Sequence, residues 1–272
     1  MTDRIGIFAL PAPMNGVEAV RYVSELGAGA FEPLVTENRP APGRHEAERI
    51  RAEAEKRGIA LPCLSAGVTL TGPQGDVNVD RLRDCADAAK IMGIPYLHHT
   101  ICLTLRPEDA KASFEQVLEE TLPRVRAVYD YAADCGVQCI YEDQGVYFNG
   151  LDRFSRFMEA LERPAGVVLD MGNIGFAGEK AGTFARRWAD RIAHVHVKDY
   201  RIRAAGSTEK GYRLGDVMLT PALPGDGDMG VTDAVNVLRE SGYAGWLMLE
   251  NEAVNDPFAE QKACLERLRS LL

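Results

Sequence analysis

The chain has no uninterrupted apolar run of membrane length, and its opening residues, MTDRIGIFAL, hold only a short apolar segment without a long hydrophobic leader. The expectation is a soluble, cytoplasmic protein that does not engage a membrane. Paired cysteines are missing too. Cys63, Cys85, Cys102, Cys135, Cys139 and Cys264 are scattered, with no CxxC and no dense framework, and read as reduced, packed thiols. The stretch IFALPAPMNG lacks the GxGxxG spacing of a dinucleotide-binding sheet, which counts against an open doubly wound fold. Positive charge is in deficit. With 31 Lys and Arg against 40 Asp and Glu, the net charge of −9 disfavours nucleic acid as a partner, because such binding comes from basic side chains neutralising phosphates. No low-complexity tract or linker divides the chain, so residues 1–272 read as one domain.

What is present is a strict alternation. Short apolar runs, RIGIFAL, GAFEPLV, ALPCLSAGV, PYLHHTI, VQCIYED, AGVVLDM, RIAHVHVKD and GWLMLENE, read as eight strands. Amphipathic stretches between them read as helices, several ending at glycine, as at Gly27, Gly58, Gly93, Gly136 and Gly242. Eight βα units predict an α/β protein, a closed (β/α)8 TIM barrel. One long stretch, Tyr200 to Gly230, reads as an irregular functional loop.

A barrel of this kind places its active site at the C-terminal ends of the strands. The fifth to eighth predicted strands end in Glu142, Asp170, His196 and Glu250. Three carboxylates and an imidazole aimed at one mouth repel unless a cation joins them, which predicts one divalent metal. An oxygen-rich set suits manganese first, with magnesium, cobalt and zinc as alternatives. Glu142 and Glu250 are the candidate acid/base pair. His194, two residues before His196, reads as a hydrogen-bonded core histidine. His98 and His99 end the fourth strand, where alternation lets only one face inward, and are candidate substrate contacts. Lys198 and Asp199 bind substrate, hold the ligands in place, or pair with each other. Glu32 hydrogen-bonds a sugar hydroxyl or closes the barrel layer. The acidic loop Asp226 to Asp228 favours an unphosphorylated substrate.

The segments AHVHVKD, VVLDMGN, IYEDQG and LPGDGDMGVTDAVNVLRESGYAGWLMLENE resemble the sugar phosphate isomerase/epimerase superfamily of xylose isomerase-like TIM barrels, close to its inosose isomerase and ketose 3-epimerase branch. The resemblance implies a metal site of Glu142, Asp170, His196 and Glu250, and a two-glutamate proton transfer through an enediolate on a ketose, a keto-polyol or their phosphates. Many such epimerases carry a histidine where this chain has Asn173. Ketose 3-epimerases carry an arginine where it has Ile202, with Arg201 and Arg203 the nearest substitutes as substrate contacts. Endonuclease IV, a relative with three zinc ions, has further His and Asp ligands that VMLTPA lacks. The expected partner is a small carbohydrate or polyol, with homo-oligomerisation left open. The alternatives are a dehydratase of the inosose or 3-dehydroshikimate type and a non-catalytic sugar- or partner-binding barrel.

Overall fold

The structure is a computed structural model that describes residues 4–8, 14, 16–250 and 256–272. Ala9 and Leu10 of the first expected strand, and Asn251 and Glu252 of the eighth, lie outside the described residues. The elements in chain order are β1 (Ile5–Ile7), α1 (Gly16–Leu26), β2 (Ala30–Phe31), β3 (Leu34–Val35), α2 (Arg44–Arg57), β4 (Cys63–Ala66), α3 (Gly75–Met92), β5 (Tyr96–His99), α4 (Phe114–Asp134), β6 (Gln138–Tyr141), α5 (Gly145–Phe148), α6 (Leu151–Ala160) and β7 (Gly166–Asp170). Then come α7 (Ala181–Trp188), β8 (Ile192–Val197), β9 (Asp199–Ala204), β10 (Tyr212–Leu214), β11 (Val217–Ala222), α8 (Val231–Glu240), β12 (Leu247–Leu249) and α9 (Pro257–Leu271).

Two compact units divide the chain, Met1–Phe31 with Leu169–Leu272, and Glu32–Val168. In the first, β2, β1, β12 and β8 lie side by side in parallel, and Met171 N, just past β7, donates to His196 O at 3.0 Å. In the second, β3, β4, β5 and β6 run parallel, and the start of β7 pairs with β6. Most strand residues of both sheets are buried on either face, including all of β1, β4, β7 and β12. That is why these segments read as continuous apolar runs: helices cover parallel sheets. The helices form where the periodicity places them, and their ends are chemically marked. Ser113 and Gln116 close a capping box on α4, and Asp256 accepts from Phe258 N and Ala259 N at the start of α9.

Two expectations about elements are corrected. GAFEPLV is not one strand: Pro33 has no N–H to give a ladder, and the segment splits into β2 and β3 around Glu32. Tyr200 to Gly230 is not irregular, since β9, β11 and β10 form an antiparallel sheet through residue 222. Gly215 and Asp216 make the two-residue turn between Leu214 and Val217, with Gly215 at φ 56°, the left-handed conformation that such hairpins require. Tyr200, Leu219 and Met229 form a small apolar core under this sheet, with Phe176 and Leu214 packed against it. No helix among the described residues is long and apolar enough to cross a membrane. All six cysteines are free thiols.

Candidate active site

In the unit that holds the C-terminal half, the ladder continues one residue beyond the strands. Phe8 N donates to Leu249 O and Glu250 N to Val197 O, each at 3.0 Å, which sets Phe8, Glu250 and Lys198 at neighbouring strand ends. Met248 pairs with His196 in register, so Glu250, two residues on, comes beside the imidazole. His196 Nδ1 lies 3.6 Å from Glu250 Oε2 and 3.8 Å from Asp170 Oδ2. Phe8 stacks on the His196 ring with centroids 4.6 Å apart, and His194 meets it edge-on, buried as expected.

Asp170 divides its work between its two oxygens. Oδ1 accepts from Gly172 N and Asn173 N, both at 2.8 Å, and so starts the 3₁₀ turn Asn173–Ala177. Oδ2 is turned to Lys198 Nζ at 2.9 Å, and the same ammonium lies 3.0 Å from Glu250 Oε2. Burial alone would push the Asp170 carboxyl up, but the Lys198 ammonium and His196 outweigh it, and its pKa lies below the ordinary carboxylate range. Gly172 is needed for this approach: a Cβ there would come within 2.4 Å of Lys198 Cγ. A cavity of about 480 Å³ opens beside Lys198 and Glu250, walled in part by Tyr200, Pro221, Leu223 and Cys264.

Asp199 does not pair with Lys198. Its oxygens accept from the amides of Tyr200 (2.9 Å), Gly225 (2.9 Å), Gly227 (3.0 Å) and Met229 (3.2 Å), which fastens the LPGDGDMG segment to β9. Burial pushes its carboxyl up against the pull of these amides. The neighbouring acids and arginines are occupied as well. Arg201 donates to Asp226 O, Arg203 pairs with Glu209, Asp226 takes two bonds from Arg267, and Asp228 Oδ2 accepts from Ile202 N.

In the Glu32–Val168 unit, Ser65 and His98 are partners across β4 and β5, and His98 pairs with Ile140, two residues before Glu142. A chain of buried contacts follows. Ser65 Oγ donates to Glu32 Oε1 at 2.6 Å and lies 2.8 Å from His98 Nδ1, while His98 Nε2 is 3.5 Å from Glu142 Oε1. His99 faces away, with Nδ1 3.0 Å from Thr100 O and its ring edge-on to Tyr141. Burial drops its pKa to about 4, so it is neutral at pH 7. Each unit therefore gathers its own polar group at its strand ends: Asp170, His196, Lys198 and Glu250 in one, Glu32, Ser65, His98 and Glu142 in the other. Phe8 and Ser65 were absent from the sequence reading. Both sit at or near strand ends, and Ser65 is a lone hydroxyl inside an apolar run, which is the signal that could have found it.

The donor chemistry of Asp170, His196 and Glu250 fits a divalent cation. Two carboxylate oxygens already turn to one positive charge beside an imidazole, and hard, oxygen-rich sets of this kind suit magnesium or manganese. A curated relative, the inosose dehydratase of Clostridium botulinum (strain Alaska E43 / Type E3), is 28% identical over 130 residues, 44% of this chain and 42% of its own length. The match thus spans less than half of that relative. Among solved structures, a xylose isomerase domain protein from Planctomyces limnophilus superposes with a TM-score of 0.78 at 20% identity, covering 98% of this chain and 96% of its own. The 3-keto-D-glucoside 4-epimerase of E. coli superposes with a TM-score of 0.75 at 17% identity, covering 98% and 99%. The family model for the xylose isomerase-like TIM barrel matches residues 20–271, nearly the whole chain, and the expected (β/α)8 fold stands: the chain belongs to the xylose isomerase-like TIM barrel family.

Proposed function

We propose that the chain, as one barrel domain over residues 1–272, is a divalent-metal-dependent isomerase or epimerase of a ketose or inosose-like keto-polyol, with Glu142 and Glu250 as its acid/base pair. The observation that carries this reading is the convergence of the Asp170 and Glu250 oxygens on one positive charge beside His196. Asp170, His196 and Glu250, together with Glu142, would hold the ion, manganese by preference. Such an ion supplies Lewis-acid polarisation of a carbonyl and its neighbouring hydroxyl. One glutamate then removes the proton from the carbon beside the carbonyl, and the other returns a proton to the adjacent carbon or the opposite face. Lys198 holds Asp170 and Glu250 in place at one edge of the cavity. Asp199 holds the loop that walls it.

A dehydratase is the second reading, favoured by the name of the curated relative and by the Lys198 ammonium 3.0 Å from Glu250, an acid for a departing hydroxide. Metal analysis of protein purified without chelator is expected to give about one divalent ion per chain, and Asp170→Ala or His196→Ala to lower it. Full occupancy in both variants refutes the site. Turnover of an inosose in heavy water is expected to place deuterium beside the carbonyl, and metal-loaded Glu250→Gln to slow exchange by about a hundredfold or more. Undiminished exchange in that variant removes Glu250 from catalysis, and a new ultraviolet chromophore in the product decides for dehydration.

A further inference from the structure

Helix α2 carries charges whose order has a symmetry of its own. Arg44, Glu48, Arg51 and Glu55 follow one another at intervals of four, three and four residues. At 3.6 residues per turn this spacing keeps them in one narrow stripe about 16 Å long. The stripe runs to one side of the buried Ala47, Ile50 and Ala54, and all four of its side chains are more than half exposed. With Ala52 and with Lys90 and Ile91 at the end of α3, they line an open groove of about 380 Å³. Arg51 Nη1 donates to Ile91 O at 3.5 Å, which ties the stripe to α3.

Within the chain these charges pair along the helix. Arg51 Nε lies 2.8 Å from Glu55 Oε1, Arg44 Nη1 3.8 Å from Glu48 Oε1, and His45 Nδ1 3.7 Å from Glu48 Oε2. A guanidinium has five N–H donors and a carboxylate about four acceptor sites, so such contacts leave each group able to take another. From the N-terminus the signs run plus, minus, plus, minus, and in reverse they run minus, plus, minus, plus. A second copy of the stripe laid antiparallel therefore sets Arg44 against the copy's Glu55 and Glu48 against its Arg51. Each contact occurs twice, as a two-fold axis requires. Laid parallel in register, every charge would meet its like. The local balance favours contact as well. A net charge of −9 per chain repels a second copy, yet the groove holds three basic side chains, Arg44, Arg51 and Lys90, against two acidic ones, Glu48 and Glu55. Ala52, small and exposed, lets the copy come close.

We propose that α2 is a docking surface for a second copy of this chain, in an antiparallel two-fold dimer held by Arg44–Glu55 and Glu48–Arg51 pairs between the copies. Ion pairs on an exposed face contribute little one by one, so the dimer is weak and sensitive to salt. Docking at α2 is independent of the function proposed above.

Sedimentation equilibrium of the full chain tests it. At low salt the weight-average mass of the wild type is expected to rise with concentration from one chain toward two, and to fall back in about 0.5 M salt. Arg51→Glu sets two acids together across the axis and Glu48→Arg two bases, and each is expected to weaken self-association about tenfold or more. An equimolar mixture of these two variants places opposite charges at both contacts again and is expected to associate as the wild type does. The double variant Glu48→Arg/Arg51→Glu is expected to do so on its own, because plus, plus, minus, minus is also complementary to its reverse. Circular dichroism checks that each variant is folded, and Arg44→Glu with Glu55→Arg gives the same mixture test at the outer contact. A wild type that stays one chain at every concentration overturns the proposal. So does a dimer that neither single variant weakens, or a loss that neither the folded mixture nor the double variant restores.

Discussion

Replacing His99 by Asn is expected to change how stability depends on pH while sparing the site. In the folded chain His99 is almost wholly inaccessible, with Nδ1 3.0 Å from Thr100 O and its ring against Tyr141. Burial, with His98 nearby, lowers its pKa from 6.5 to about 4 despite the opposing pull of Thr100 O. Above pH 6.5 the ring is neutral in both folded and unfolded chains and contributes no pH dependence. Below 6.5 the unfolded chain takes up a proton that the folded chain refuses until about pH 4, so stability falls across that window. Each pH unit costs about 1.4 kcal/mol, so lowering the pH from 7 to 5 removes about 2 kcal/mol through this residue alone. Asn keeps a hydrogen-bond donor near Thr100 O and does not titrate. Its smaller volume lowers stability at every pH, which leaves the difference between the two pH values as the measurement. Urea unfolding of both proteins at pH 7 and pH 5 is expected to show the wild type losing about 2 kcal/mol more than His99→Asn. Equal losses would refute the argument, and a large fall in turnover at pH 7 would return His99 to the site.

Asp199→Ala strands four backbone amides on the LPGDGDMG segment and is expected to destabilise the fold by about 3 kcal/mol, with faster proteolytic cleavage near residues 225–229. Unchanged cleavage would mean the segment is held by other contacts. Gly172→Ala pushes a methyl group into Lys198 Cγ and the Tyr200 ring and is expected to cost about 1–3 kcal/mol in urea unfolding and to lower turnover, because Lys198 can no longer lie along Asp170. Wild-type stability and turnover in that variant would refute the close approach.

Much of the molecule was legible without coordinates because the signals are local. Apolar period and terminal glycines placed the helices to within a few residues, and strand alternation put His196, Met248 and Glu250 in a consistent register. The strand-end rule also marked Asp170, since a carboxylate at the end of a buried strand stands out in the sequence. What stayed hidden depends on partners far away in the chain. Asp199 looks like a site residue in VKDY, yet Met229 and Gly225, some 30 residues on, claim its oxygens. The adjacent histidines 98 and 99 are chemically identical in sequence, and only the packing of β4 and β6 beside β5 sends one to Ser65 and the other to Tyr141. Tyr200 to Ala222 was hidden for a related reason: short, half-exposed antiparallel strands alternate weakly, and their pairing is fixed by a two-residue turn and a three-residue apolar core that exist only once the chain has folded back on itself.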